Sequence, residues 1–317
     1  MRVLITGARG FVGPYVAKAI AQVFGQDAEV LRSSISRATH NYEDLYDLDV
    51  TDIQSVLRQL EHLRPTHVVH LAGLAAVPVA AANAEVAWHI NLLGTLNIAQ
   101  AILQTVPTCV LLYIGSGQVY GASAKDNCPL TEKSLLAPTN PYEASKAAAD
   151  LAIGAMASSG LHAIRIRPFN HTGPGQSDQF VVPSLAMQIA RIKIGQQQPI
   201  VRVGNLAAER DFLDVRDVAN AYALALKHSH HIEPGTILNI SSGSGTSINS
   251  ILTRLIQFAG REIEVCSDAT RFRNVDIPRF VGDSTLARTL LGWRPIFSLD
   301  DTLKDVLLHC ERAIREP

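Results

Sequence analysis

The chain has 317 residues, a formal net charge of −1 and 47% hydrophobic residues, so it can bury a full α/β core and a smaller lobe. The near-neutral charge gives no electrostatic basis for binding nucleic acid or a membrane surface, and no apolar run is expected to be long enough to span a bilayer. The N-terminus lacks the pattern of a signal peptide, and four scattered cysteines suggest neither a metal site nor a disulfide framework. We therefore expect a cytoplasmic protein without a structural metal.

The first predicted element is a nucleotide-binding turn. A short apolar strand over residues 3–6 is followed by Gly7, Gly10 and Gly13, and then by helical periodicity over residues 11–24. Glycines let the backbone approach a pyrophosphate, and the helix N-terminus attracts its negative charge. A purely structural turn is the alternative, but the order of strand, glycine turn and helix favours dinucleotide binding.

The end of the second predicted strand, over residues 28–31, indicates whether the chain binds NAD(H) or NADP(H). NAD-binding chains usually carry an acid at the end of this strand, where it holds the ribose 2′-hydroxyl. Here Arg32 and Ser33 follow instead, and Arg9 lies within the glycine turn. Guanidinium groups suit a 2′-phosphate. The sequence therefore predicts NADP(H), unless Arg32 is merely solvated.

The remaining elements continue an alternation of strands and helices. Further strands are predicted at 67–71, 110–114 and 162–166, and helices at 53–60, 86–104 and 142–158. This alternation predicts a Rossmann-type, doubly wound parallel sheet in an α/β protein. Helices at 183–194 and 214–226 and a strand at 236–240 follow. We expect an NADP-binding domain over 1–169 and a smaller α/β substrate lobe over 170–317, with about 212–242 returning to the first domain.

Three side chains form a candidate catalytic group. Ser116 follows the predicted strand 110–114, where it could hold a carbonyl oxygen. Tyr142 and Lys146 lie four residues apart, which puts them on one helical face. A nearby ammonium is expected to lower the pKa of the phenol, so that the tyrosine can exchange a proton with a substrate oxygen. Each feature alone fits an ordinary turn or surface helix, but their combination predicts catalysis.

These motifs resemble the extended short-chain dehydrogenases/reductases, in the branch that modifies nucleotide sugars. The resemblance rests on residues 6–13, 47–52, 70–73, 91–95, 116–121 and 142–146. It implies that Asp49 and Val50 meet the adenine and that Lys146 also holds the nicotinamide ribose. Asn91 either supports the cofactor-side network or is a helix-packing amide. The candidate cofactor-binding residues are Gly7, Arg9, Gly10, Phe11, Val12, Gly13, Arg32, Asp49, Val50, Leu71, Ala72, Gly73, Asn91, Tyr142, Lys146 and Phe169.

Residues 167–176 and 209–215 are similar to a narrower group, the GDP-6-deoxy-4-keto-D-mannose reductases that make GDP-D-rhamnose. The similarity implies that Asn170 contacts the sugar or phosphate and that Arg210 and Arg279 neutralise the diphosphate. It also implies hydride transfer to the C4 carbonyl, whose oxygen Tyr142 protonates. The candidate substrate-binding residues are Ser116, Gly117, Tyr142, Asn170, Arg191, Arg202, Arg210 and Arg279.

The residues after Ser116 help to distinguish among the other activities found in these families. Dehydratases resemble one another in an acid pair at this place, whereas this chain has Gly117 and Gln118, so dehydration is not expected. A 4-epimerase that retains its NAD(P) remains an alternative, as does a reductase that forms the 6-deoxy-talose epimer. The resemblance further implies a homodimer through a four-helix interface made by residues 86–104 and 142–158.

Overall fold

The computed structural model describes residues 1–35, 45–75, 80, 82–126, 128–272 and 277–316. Its strands, in chain order, are β1 (Arg2–Thr6), β2 (Glu29–Ser34), β3 (Leu45–Asp47), β4 (His67–His70), β5 (Val110–Ile114), β6 (Ala163–Pro168), β7 (Asn170–Thr172), β8 (Ile200–Val203), β9 (Glu209–Asp214), β10 (Ile237–Ile240), β11 (Gly245–Ser247), β12 (Glu264–Ser267) and β13 (Arg279–Phe280). Its helices are α1 (Gly13–Phe24), α2 (Ile53–Leu63), α3 (Ala84–Thr105), α4 (Pro141–Ser158), α5 (Val181–Lys193), α6 (Val215–Lys227), α7 (Ile248–Ala259), α8 (Thr285–Leu291) and α9 (Leu299–Arg315).

Within the described part of the chain, the main sheet has seven strands in the order β10-β6-β5-β4-β1-β2-β3, and every pairing in it is parallel. The chain moves outward from β1 in one direction and then returns to start again at β4. Parallel strands need crossover connections, which the helices supply on both faces. The prediction of a doubly wound α/β fold is confirmed. The change of direction between β1 and β4 creates the crevice where ligands bind in such sheets.

Apolar packing divides the molecule into layers. Side chains of α1 and α6 form one core cluster on the sheet, and side chains of α2, α3 and α4 form another on the opposite face. A third cluster joins α5, α7, α9 and β8. Helix α6 and strand β10 thus pack with the main sheet although they follow residue 170 in the chain. This arrangement supports the proposed division into a cofactor domain, a substrate lobe and a returning segment.

The start of α1 and the end of α2 differ from the predicted boundaries by two and three residues. The helix predicted from residue 11 begins at Gly13, because the turn before it continues through two backbone bonds: Gly10 N donates to the carbonyl of Gly7 at 2.9 Å, and Gly13 N donates to that of Gly10 at 3.1 Å. Strand β5 has its predicted bounds. Helix α2 runs three residues past its predicted end to Leu63, and Arg64 then closes it in a left-handed conformation with φ of 43°.

Helix α3 bears on the expectation that no apolar run could span a bilayer. It has 22 residues and a mean hydropathy of 1.3 over its best window, so it is long and apolar enough to cross a membrane by length and composition. The expectation was wrong in that respect. However, 44% of this window is buried within the fold, and α3 packs against both α2 and α4. Core packing therefore explains part of its apolar character.

Candidate active site

The carboxyl ends of β1, β4, β5 and β6 surround a cavity of about 550 Å³. Residues from both halves of the sequence line it, and they include most of the predicted catalytic and cofactor residues. The predicted residues among them are Gly7, Gly10, Phe11, Val12, Gly13, Leu71, Gly73, Ser116, Tyr142, Lys146, Phe169 and Asn170.

The glycine turn forms one wall of this cavity. Gly7 has φ of +65°, and a Cβ there would lie 2.7 Å from Ala72 Cα, so only glycine fits between the turn and the segment after β4. Helix α1 starts without a side-chain cap and has no acid in its first turn. Its backbone N–H groups are therefore suited to an anion. These features fit the pyrophosphate of a dinucleotide.

Arg9 lies within this turn and Arg32 lies beside it, but neither residue lines the cavity. The backbone N–H of Ala8 donates to the carbonyl of Ser33 at 2.9 Å, which holds the end of β2 against the glycine turn. Both arginines are exposed. No acid stands within β2 after Glu29, at the opposite end of the strand. Two guanidinium groups, a type that suits a ribose phosphate, therefore lie at this edge of the site.

Asp49 and Val50 lie in the loop before α2. Asp49 Oδ1 accepts hydrogen bonds from the backbone N–H of Thr51 at 2.9 Å and from its hydroxyl at 2.7 Å. Val50 is buried against the start of the second half of α3, where a Cβ on Gly94 would come within 2.9 Å of its Cγ2. These contacts give the loop a defined shape beside β2 and β3, although neither residue lines the cavity.

Asn91 is fully buried and joins two walls of the site. Its Oδ1 accepts from the backbone N–H of Leu74 at 2.8 Å, and its Nδ2 donates to the Ser145 hydroxyl at 3.0 Å. The amide thereby fixes the segment after β4 against α4. Asn91 packs between helices and also shapes the wall beside Gly73, so its role towards the cofactor stays a prediction.

The start of α4 determines where the candidate catalytic pair lies. Asn140 Oδ1 accepts from the backbone N–H of Glu143 at 3.0 Å, and Glu143 Oε2 accepts from that of Thr139 at 2.6 Å. This reciprocal capping fixes the first turn of the helix. Tyr142 is consequently the second residue of α4, and Lys146 lies one turn further along the same face, with both side chains in the cavity wall.

The electrostatics of this pair differ from the prediction. Burial lowers the pKa of Lys146 to about 8, against the opposing charge of Asp150, and Lys146 Nζ donates to the carbonyl of Ile114 at 2.8 Å. Burial raises the pKa of Tyr142, although a hydrogen bond with Ser116 opposes the rise. The pKa of Tyr142 is therefore raised, not lowered as predicted, because burial outweighs the hydrogen bond with Ser116.

Neutral groups surround Ser116. Its Oγ accepts from the backbone N–H of Gln118 at 3.1 Å, and Gln118 Nε2 donates to Asn170 Oδ1 at 3.3 Å. Gly117 packs on the ring of Phe169, where a Cβ would lie 3.0 Å from ring carbons. The serine hydroxyl and the two carboxamides can bind hydroxyl or carbonyl oxygens of a sugar. None of them has the pKa of a general acid or base.

A second cavity, of about 380 Å³, adjoins the first and shares Asn170, Gln179 and Val181 with it. Among the described residues, three arginines line it: Arg202, Arg210 and Arg271. Arg202 and Arg210 were predicted from the sequence as substrate residues. Arg271 was missed, because it stands in no recognised motif and only the fold brings it to this cavity. Such a group of guanidinium donors suits a diphosphate.

Two other predicted arginines line neither cavity. Arg191 is exposed in the last turn of α5. Arg279 lies on β13, where its Nε is 3.2 Å from Glu209 Oε2 on the neighbouring strand β9. The structure therefore does not bring Arg191 or Arg279 together with the other substrate candidates. Arg191 lies on the exposed face of α5, and the carboxylate of Glu209 on the neighbouring strand holds Arg279.

Comparison with known proteins identifies the family. Residues 4–306 match the family model described as GDP-mannose 4,6 dehydratase. The chain is 35% identical to the GDP-6-deoxy-D-mannose reductase of Pseudomonas aeruginosa, over 99% of both chains. The structure of RMD from Pseudomonas aeruginosa complexed with NADPH superposes with a TM-score of 0.83 at 34% identity, covering 98% of this chain and 99% of that one. The UDP-glucose 4-epimerase of Thermus thermophilus, in complex with NAD, gives 0.84 at 27% identity, covering 99% and 100%. The chain belongs to the GDP-mannose 4,6-dehydratase family, within the extended short-chain dehydrogenases/reductases.

Proposed function

We propose that this protein uses NADPH to reduce the C4 keto group of a nucleotide-linked 4-keto-6-deoxyhexose. GDP-4-dehydro-6-deoxy-D-mannose is the proposed substrate and GDP-D-rhamnose the proposed product. The observation that carries the proposal is that Ser116, Tyr142 and Lys146 share one cavity with the glycine turn. The similarity to the GDP-6-deoxy-D-mannose reductase of Pseudomonas aeruginosa, and to RMD from that organism complexed with NADPH, supports this activity.

Each catalytic side chain has a separate task in this proposal. The bound nicotinamide supplies the hydride. The Ser116 hydroxyl holds the C4 carbonyl oxygen, and the Tyr142 hydroxyl gives that oxygen a proton as negative charge develops on it. Because burial raises the pKa of Tyr142, the phenol keeps its proton at neutral pH. Lys146 carries partial positive charge near pH 8 and binds the ribose next to the nicotinamide.

The neutral residue Gln118 argues against water elimination, even though the family model is described as a dehydratase. Elimination needs one group to take a proton from carbon and another to give a proton to the departing hydroxyl. A carboxamide can do neither near neutral pH. Gln118 instead donates a hydrogen bond to Asn170, and we propose that the two carboxamides orient the sugar ring.

The arginine-lined cavity beside the catalytic cavity is the proposed site of the nucleotide diphosphate. Arg202, Arg210 and Arg271 approach it from β8, β9 and the segment after β12. Arg210 Nη1 also donates to the carbonyls of Glu209 and Ile277, at 2.8 and 2.7 Å. These bonds hold the guanidinium group in position before any ligand binds, which lowers the entropic cost of binding.

The test of the proposal is oxidation of NADPH by the purified protein with GDP-4-dehydro-6-deoxy-D-mannose. Stoichiometric loss of NADPH absorbance is expected, and NMR of the product then distinguishes the rhamnose from the talose epimer. Absence of NADPH loss, together with nicotinamide released only on denaturation, would overturn the reductase and favour the 4-epimerase. The structural similarity to the Thermus thermophilus epimerase keeps that second candidate open.

Preference for NADPH is expected to depend on Arg32. Replacing Arg32 with Ala should raise the Kd of NADPH by about 10- to 100-fold, since a charge-assisted bond to the 2′-phosphate is lost. The Kd of NADH, which has no 2′-phosphate, should change little. Titration of both dinucleotides by isothermal calorimetry measures the ratio.

Arg2 provides the matched control for this variant. It lies at the opposite end of β1, where its Nε is 3.0 Å from Glu29 Oε2 and both side chains are exposed. Arg2→Ala should leave both affinities unchanged. An equal loss of NADPH and NADH affinity in Arg32→Ala would show that Arg32 supports the fold of this edge rather than the phosphate.

We also propose a homodimer through α3 and α4. These helices pack side by side, yet Val86, Trp88 and Leu93 on α3 and Leu151 on α4 remain 38–60% exposed. Pairing with the same helices of a second copy would bury them in a symmetric interface. Light scattering should give twice 34.3 kDa, and Leu151→Asp should shift the mass towards one chain. A monomeric wild-type protein would contradict the interface.

We further propose that the protein works in the cytoplasm. All four cysteines, Cys109, Cys128, Cys266 and Cys310, are free thiols, which suits a reducing compartment. Cell fractionation tests this location. Recovery with the membrane fraction would contradict it and would point to the exposed apolar face of α3.

A further inference from the structure

Tyr222 is a buried polar side chain whose hydroxyl is left without a partner. It stands in the middle of α6, it is 0% exposed, and among the described residues no atom forms a hydrogen bond with its hydroxyl. Most buried polar groups in folded proteins are paired, because removing them from water without a replacement bond is unfavourable. A lone phenol hydroxyl at this depth therefore indicates a partner that the described residues do not supply.

The position of Tyr222 indicates where that partner binds. Its side chain lines the catalytic cavity, and α6 contacts both β5, which leads to Ser116, and β7. Tyr142 lines the same cavity, and its charge adds to the burial that raises the pKa of Tyr222. Tyr222 thus belongs to the catalytic end of the cavity, away from the loop of Asp49 and Val50.

The wall that carries Tyr222 is on the cofactor side. Helix α6 packs along α1, whose N-terminus follows the glycine turn, and Tyr222 shares its core cluster with Ile114 and Val12. A dinucleotide that runs from the glycine turn towards Tyr142 would bring its nicotinamide to this wall.

We propose that the Tyr222 hydroxyl donates a hydrogen bond, directly or through one enclosed water, to the carboxamide of the bound nicotinamide. This inference rests on the proposed function, which supplies the dinucleotide. The carboxamide oxygen is a polar acceptor at that end of the cofactor. The bond would fix the rotation of the ring, and with it the face that is presented to the sugar carbonyl.

The experiment compares two ligands that differ only in the nicotinamide. Tyr222→Phe removes the hydroxyl and keeps the ring. Calorimetric titration should show a Kd for NADPH raised by about 3- to 10-fold, as expected for one neutral hydrogen bond. The Kd for 2′-phospho-ADP-ribose, which lacks the nicotinamide, should not change. The Tm of the unliganded variant should equal or exceed that of wild type, since an unsatisfied buried hydroxyl has been removed.

Ser241 is the matched control. Its hydroxyl is also buried without a partner among the described residues, but it lines neither cavity, so Ser241→Ala should leave both Kd values unchanged. An unchanged NADPH Kd in Tyr222→Phe, or an equal loss for both ligands, would overturn the assignment. Failure of the wild-type protein to bind NADPH at all would instead remove the proposed function, so the two failures are distinct.

Discussion

Tyr142→Phe should lower kcat for ketosugar reduction by about 10²- to 10⁴-fold, the range contributed by a general acid. The phenylalanine keeps the ring that lines the cavity but cannot give a proton to the C4 oxygen. Burial raises the pKa of Tyr142, so the wild-type phenol is protonated across the neutral range and is ready to act as the donor. Steady-state kinetics with NADPH and GDP-4-dehydro-6-deoxy-D-mannose measure the effect.

The same variant should bind NADPH with nearly wild-type affinity, because the lost hydroxyl acts on the sugar oxygen. Tyr46→Phe is the control, since Tyr46 lies on β3 and lines neither cavity. It should leave kcat unchanged. If Tyr142→Phe retained wild-type turnover, the proton would have to come from elsewhere and the catalytic assignment would fail.

The parts of the fold that could be predicted are those with strong local signals. Strand β5 is a continuous apolar run between turn residues, and it was predicted with its observed bounds, Val110–Ile114. By contrast, β7 and β11 contain Asn-His-Thr and Gly-Thr-Ser. They are strands only because both pair with β9. Long-range pairing of this kind leaves no pattern in the local sequence.

The residues of the candidate site also divide into those that the local sequence could predict and those that only the fold brings together. Ser116 and Lys146 could be predicted, since one follows a strand end and the other lies one helical turn from Tyr142. The sequence could not show that Lys146 Nζ would bond the Ile114 carbonyl, because that contact depends on how α4 packs on β5. Tyr222 and Arg271 were missed because each looks ordinary in its own segment, one as a core residue and the other as a surface cation.

Asp150 lies on α4, the helix that carries Tyr142 and Lys146, and it forms buried ion pairs with Arg165 and Arg167 of β6. Asp150 is 0% exposed and its carboxylate accepts from Arg167 Nη2 at 2.7 Å, from Arg167 Nε at 3.0 Å and from Arg165 Nη1 at 3.1 Å. Arg167 also donates to the Tyr120 hydroxyl at 2.9 Å. Burial alone would lower the pKa of Arg167, but the bonds to Asp150 raise it overall. The charge of Asp150 also opposes the fall in the pKa of Lys146.

Asp150→Asn should therefore lower the free energy of unfolding by about 3–5 kcal/mol, the loss typical when one partner of a buried pair is removed. The variant leaves the Arg167 guanidinium buried without a counter-charge. Urea denaturation at a fixed protein concentration measures the loss. The control is Asp300→Asn, whose partner Arg254 lies 2.8 Å away in a pair that is 38% and 49% exposed.

The control pair is largely solvated, so its removal should cost less than about 1 kcal/mol. Equal, small losses in both variants would mean that water reaches the Asp150 cluster and that this cluster does not hold α4 against β6.

Asp150→Asn should also lower the pKa of Lys146 further below about 8, because the negative charge that opposes the effect of burial is removed. The variant that remains folded should then bind NADPH more weakly at alkaline pH, because Lys146 loses its positive charge at a lower pH than in the wild type.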